Sequence, residues 1–299
     1  MTDLPLLAVL CALVGALLFA IGSVAQQSAA AGVDEGDALI GELIRSPRWW
    51  VGVGGDVGGY VFQATALGLG SVLVVQPLIV STLLFALPLS ARFAGTRMSA
   101  KTWLTAIALA SSLVVFLTVG NPTEGAATAT LRHWALPLAL VVGACVVAVV
   151  VAGTRVPAGA RALLLGAACG GLYGVAVALT KPVIDDLEHG PVAVVTGWEP
   201  WALVAAGVAG FYLQQRAFQA GSLAASLPAI TIGEPLVASY LGFTVLDERL
   251  RVQGAGLVVV AASVAVMIWA TIALSRSQAQ STPAAALGDS GTSGAAVSP

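Results

Sequence analysis

Charge is what this chain has least of. Only 9% of its 299 residues are Asp, Glu, Lys or Arg, against about 25% in a soluble domain. That excludes a water-soluble fold: a chain that is 58% hydrophobic, with a mean hydropathy of +0.93, has more apolar surface than it could hide from water. The formal net charge is −2, so no basic excess speaks for nucleic acid as a partner. Cysteine is scarce as well. Cys11, Cys145 and Cys169 lie in apolar runs without metal-ligand spacing, and one is left odd, so they read as small packing residues. The two histidines, His133 and His189, sit in connecting segments. No serine has a partnered His and acid, and no Gly-rich phosphate loop follows a strand, so neither an enzyme nor a cofactor is expected. No Lys or Arg precedes the first apolar run, which is therefore read as a retained helix, not a cleaved signal.

What is present is apolar runs of spanning length. Nine are read, at roughly 4–26, 48–67, 70–91, 101–119, 133–152, 160–181, 198–216, 222–245 and 252–275. The predicted fold class is an all-α polytopic membrane protein, with the lipid bilayer as its first partner. Residues 27–47 alternate charge with apolar side chains at helical spacing, which predicts a short interfacial helix, with Trp49 and Trp50 at headgroup level. Residues 182–197 are a second long connection, open to a re-entrant reading. Placing the N-terminus outside puts nine Lys and Arg residues inside and four outside, so the C-terminus is predicted cytoplasmic. Residues 277–299 read as a disordered, low-complexity tail.

Part of the apolar sequence occurs twice. Gly59-Tyr60-Val61-Phe62-Gln63, Ala66, Gly70-Ser71 and Pro77 return 151 residues later as Gly210-Phe211-Tyr212-Leu213-Gln214, Ala217, Gly221-Ser222 and Pro228. Gly15 and Gln26 match Gly170 and Lys181 at an offset of 155. The duplication divides the chain into a four-helix repeat, 4–119, and a five-helix repeat, 133–275. The extra crossing at 133–152 turns the second repeat upside down. That predicts inverted repeats with a solute site between them, exposed alternately to either side.

Ionisable groups inside the runs carry the chemistry, because each is costly at the membrane centre. Asp56 lies among Gly52, Gly54, Gly55, Gly58 and Gly59, which invite another backbone close and predict a sliding interface over Gly54–Gly59. It reads either as a cation or proton site or as a protonated acid bonding a neighbouring helix. Glu234 precedes Pro235 and follows Pro228, which predicts a broken or bent helix with a freed carbonyl; its alternative is a packing acid. Gln63 and Gln214 are repeat-related, with Gln76, Gln215, Tyr60 and Tyr212 nearby. They read as substrate contacts or as amides bonding across helices. The expected substrate site is Asp56, Tyr60, Gln63, Gln76, Gln214 and Glu234, with Asp56 and Glu234 as metal ligands if the solute is a cation. Lys181 and Arg216 are expected to snorkel, and Gly166, Gly170 and Gly174 to form a packing stripe.

These residues resemble the drug/metabolite transporter superfamily, EamA-like. The likeness lies in the repeat-related helix ends Gln26 and Lys181, the proline breaks at Pro77 and Pro228, and the acidic turn Asp247-Glu248-Arg249-Leu250. The first-repeat counterpart, Gly95-Thr96-Arg97-Met98, lacks the acid. Trp49-Trp50-Val51-Gly52, Gly55-Asp56 and Gln76-Pro77-Leu78 are similar to the branch of NIPA-type magnesium transporters, although Gly59 stands where that branch tends to have asparagine. The resemblance implies a secondary transporter in the cell membrane for a small solute, with Mg²⁺ or H⁺ as transported or coupling ion and a homodimer as the assembly to consider. A non-transporting membrane scaffold is the reading from a different class.

Overall fold

The computed structural model describes residues 6–30, 45–93, 97–220 and 223–281. The predicted interfacial helix at 27–47 falls largely on residues 31–44, and most of the predicted tail on 282–299; both stretches lie outside the described residues. Among the described residues the regular structure is helical apart from one two-residue ladder. Its helices are α1 (Leu6–Ala30), α2 (Pro47–Leu69), α3 (Val72–Val80), α4 (Thr82–Phe93), α5 (Ala100–Gly120), α6 (Leu131–Ala152), α7 (Ala158–Glu188), α8 (Pro191–Thr196), α9 (Glu199–Ala220), α10 (Leu223–Thr244) and α11 (Ala255–Ser281). Among the described residues, six spans are long and apolar enough to cross a membrane: α1, α3 with α4, α5, α6, α7 and α11. α2, α9 and α10, each 22 or 23 residues long, pack among them.

Proline alone does not decide where these helices stop. The expected run 70–91 is two helices. α3 runs through Pro77, which leaves the Leu73 carbonyl without its usual N–H, and the chain stops being α-helical only at Ser81, four residues on. There the Ser81 amide and hydroxyl both donate to Leu78 O, at 3.0 and 2.5 Å, and Thr82 Oγ1 donates to Ile79 O at 2.7 Å. Carbonyls that a continuing helix would use are thereby satisfied. In contrast, the break expected in 222–245 is absent: α10 continues through Pro228 and Pro235. The stripe Gly166, Gly170 and Gly174 on α7 clamps it. A Cβ at these positions would come 2.8 Å from Ser226 O, 2.7 Å from Ile230 O and 2.6 Å from Glu234 O. With the neighbouring backbone so close along two turns, α10 has no room to kink toward α7.

Glycines also join α1 to α2. A Cβ on Gly55 would lie 2.8 Å from Gly22 Cα, and one on Gly59 would lie 2.7 Å from the Phe19 ring. Gly54 faces open space, so the close contact runs through Gly55 and Gly59 and not through the whole Gly54–Gly59 stretch. In the second half α7 packs on α9 and α10, and α5 packs on α11 across the halves. α7 runs to Glu188, seven residues past its expected end, and so absorbs the first part of the supposed connection 182–197; the six-residue α8 occupies most of the rest. α11 likewise continues helical to Ser281, into the start of the expected tail.

At one end of the bundle the halves are tied together. β1 (Pro122–Thr123) pairs antiparallel with β2 (Arg249–Leu250), and Ala126 N donates to Leu246 O at 2.7 Å. Asp247, at φ 55°, turns the chain so that Glu248 points back into the bundle.

Candidate functional site

The predicted residues of α2 share a face. Asp56, Tyr60 and Gln63 are spaced by four and three residues, which stacks them along one side of a helix. That side meets α7. Tyr60 Oη lies 3.1 Å from Thr180 Oγ1. On α7, Tyr173 Oη donates to Gln214 Oε1 of α9 at 2.7 Å. Glu234 of α10 completes the group. It is half-buried, its carboxyl lies beside the Gln63 amide, and its charge reaches Tyr60, Cys169 and Tyr173. The charge of Asp56 also reaches Tyr173. Five of the six expected site residues, Asp56, Tyr60, Gln63, Gln214 and Glu234, therefore converge where α2, α7, α9 and α10 meet.

The sixth stands apart. Gln76 is buried in α3, and its amide nitrogen has no hydrogen-bond partner among the described residues. Tyr212 turns outward, 60% exposed, because its position in α9 lies off the face that carries Gln214. Asp56 also touches α1: a Cβ on Gly22 would come 2.5 Å from its Oδ1. The site thus depends on the α1–α2 glycine contact. Gln63 is 3% exposed, and its amide faces the Glu234 carboxyl, so the two side chains form one polar pair between α2 and α10.

Sequence reasoning missed Tyr173, Thr180 and Glu248. Tyr173 lies between Gly170 and Gly174, and that signal reads as packing alone. Glu248 stands in the sequence as part of an acidic turn, yet it is fully buried. It is the hub of a contact between the two halves: Val72 N and Leu73 N donate to its Oε1 and Oε2 at 2.7 and 3.0 Å, and Lys181 Nζ lies 3.4 Å from Oε1. Ser71 Oγ accepts from Val74 N at 3.2 Å. Between them, Glu248 and Ser71 satisfy three of the four amides that a helix start leaves open. Lys181 does not snorkel, as its place near a helix end suggested. It is 7% exposed, because α7 continues past it and Glu248 supplies a countercharge.

Cys11, Cys145 and Cys169 are free and buried, consistent with packing roles. Among the described residues no group of three or more His, Cys, Asp or Glu side chains is gathered as a metal site.

The chain is 36% identical over 276 residues to the uncharacterized protein Cgl0250/cg0304 of Corynebacterium glutamicum, an alignment covering 91% of this chain and 95% of that one. It belongs to the family of that protein. No family model and no solved structure matches the chain. With 91% of this chain aligned, both halves, the site and the Glu248 contact lie within the compared span.

Proposed function

We propose that the chain is a multi-pass secondary transporter, carrying a small solute across the cell membrane by alternating access between two inverted repeats, 4–119 and 133–275. The nine-span reading, the likeness to the EamA-like drug/metabolite transporters and an outside N-terminus with a cytoplasmic C-terminus belong to this proposal. One observation carries it: Asp56, Tyr60 and Gln63 from the first half converge with Tyr173, Gln214 and Glu234 from the second, in mid-helix. Polar groups at such depth are costly, and ionisable residues inside spans mark solute or proton paths. The repeat-related Gln63 and Gln214 both belong to that convergence. Lys181 lies eight residues beyond Tyr173, about 12 Å along α7 at 1.5 Å per residue. In this reading the Glu248 contact closes one side above the site.

Mg²⁺ as the solute is the second reading, favoured by the two carboxylates and by the NIPA-like motifs. With two acids, two phenols and two amides available, the ion would keep several of its waters, as Mg²⁺ does in most protein sites. The test is uptake by full-length protein in proteoliposomes, with a Mg²⁺-sensitive dye inside, comparing wild type with Asp56→Asn and Glu234→Gln. Mg²⁺ entry lost in both variants supports the cation reading. Absence of Mg²⁺ entry, with proton-driven uptake of an organic solute lost in both, supports the organic one. A double variant that keeps the wild-type cellular phenotype would count for a scaffold and against transport.

A further inference from the structure

A concavity lies on the flank of α7 and α10 away from Glu234. It is a lateral groove of about 690 Å³ between the start of α7, the first half of α10 and the end of α11. The walls are Leu163 and Ala167 on α7, Ile232 and Leu236 on α10 and Ile272 on α11. Small residues make it concave: Gly159 and Ala160 open its end, and a Cβ on Gly159 would meet nothing within 4 Å. The seam at Gly166 and Gly170 separates it from the site, since the groove residues of α10 and Glu234 point to opposite sides of that helix. Its one charged lining residue is Arg276, exposed at the end of α11 and without an ion pair or side-chain hydrogen bond among the described residues.

We propose that this groove binds one anionic phospholipid, an acyl chain between Leu163, Ile232 and Leu236 and the phosphate on Arg276. The argument is one of matched polarity along its length. An apolar trough running from mid-bundle to a single unpaired guanidinium at the helix end has the pattern of a lipid, apolar over most of its length and negative at one end. A guanidinium suits that end because it takes phosphate oxygens in a bidentate fork. Arg276 stands on the side that carries nine of the chain's thirteen Lys and Arg residues in the positive-inside reading, where anionic lipid is held at the cytoplasmic leaflet. The volume lies within the usual range for a ligand cleft, about 300–1,000 Å³. The proposal does not depend on transport.

The test is native mass spectrometry of the full-length protein released from micelles holding equal amounts of palmitoyl-oleoyl phosphatidylglycerol and phosphatidylcholine. Wild type should retain one phosphatidylglycerol in about fivefold preference, the factor that corresponds to the roughly 1 kcal/mol one basic side chain gains at an anionic surface. Arg276→Gln should bring the ratio to about one, while Arg155→Gln, a cation in the neighbouring α6–α7 connection, should keep it. Gly159→Leu should lower retention of both lipids with the melting temperature unchanged. Equal retention of the two lipids by wild type, or a preference that survives Arg276→Gln, would overturn the proposal. So would a dimer peak that Gly159→Leu abolishes, which would assign the groove to a second copy of the chain.

Discussion

Lys181 Nζ stands 3.4 Å from Glu248 Oε1, both side chains nearly withdrawn from solvent, and the same carboxylate holds the first two amides of α3. Buried ion pairs are poor stabilisers against an apolar replacement, but breaking one costs about 3–5 kcal/mol because the remaining charge is left alone. Glu248→Ala should therefore lower stability by an amount in that range, uncovering both the Lys181 ammonium and the start of α3. Lys181→Met should cost less, since the carboxylate keeps its two amides. Thermal melting in detergent gives the order, and a Lys181→Met variant less stable than Glu248→Ala would refute it.

The Tyr173–Gln214 hydrogen bond, 2.7 Å between α7 and α9, should be measurable as a coupling. In a double-mutant cycle of Tyr173→Phe and Gln214→Leu, the two losses should fall short of additivity by about 1 kcal/mol, the usual net value of such a bond. Strict additivity of the melting shifts would show that the two groups act independently.

Two glycines, alike in sequence, should respond oppositely. Gly170→Leu drives a side chain into the Ile230 carbonyl, whose distance from a Cβ is only 2.7 Å. Overpacking of this kind costs about 1–3 kcal/mol or more. Gly54→Ala meets nothing within 4 Å and replaces a helix-interior glycine, so it should be neutral or stabilising by about 0.5–1 kcal/mol. Yield and monodispersity in detergent, followed by melting, separate the two.

At the end of α7 the exposed His189 should titrate above its usual 6.5. Its Nδ1 lies 2.8 Å from the Asp185 carbonyl, and the Asp185 carboxylate lies 3.7 Å from the same atom; both favour the imidazolium. Because the folded-state pKa is raised, whatever this contact adds to stability is complete below pH 6.5 and fades as pH rises through the raised value. Asp185→Asn should move the NMR titration of His189 back toward 6.5; an unchanged midpoint would assign the shift to the carbonyl and to the Asp186 and Glu188 charges instead.

The helical class and the convergence of Asp56, Gln63, Gln214 and Glu234 were legible because hydropathy, internal duplication and intramembrane charge are all local signals. What escaped was set by contact between distant segments. Pro77 and Pro228 occupy matching places and both lie inside helices; the first run stops at Ser81, whereas α10, packed along the glycine stripe of α7, continues. Lys181 looked like a snorkelling cation because its partner is 67 residues away. Glu248 looked interfacial because a turn residue gives no hint of which helix start it faces. Tyr173 was hidden between two packing glycines.

The Glu248 cap also has a bearing on how the chain is made. The amides it holds, at Val72 and Leu73, precede it by 176 and 175 residues. While the first half is being inserted, the start of α3 has no carboxylate to meet, and in lipid such amides must be held by something. Water or the insertion machinery has to fill that place until Glu248 is synthesised. A chain cut anywhere before residue 248 keeps both amides of α3 and loses their acceptor.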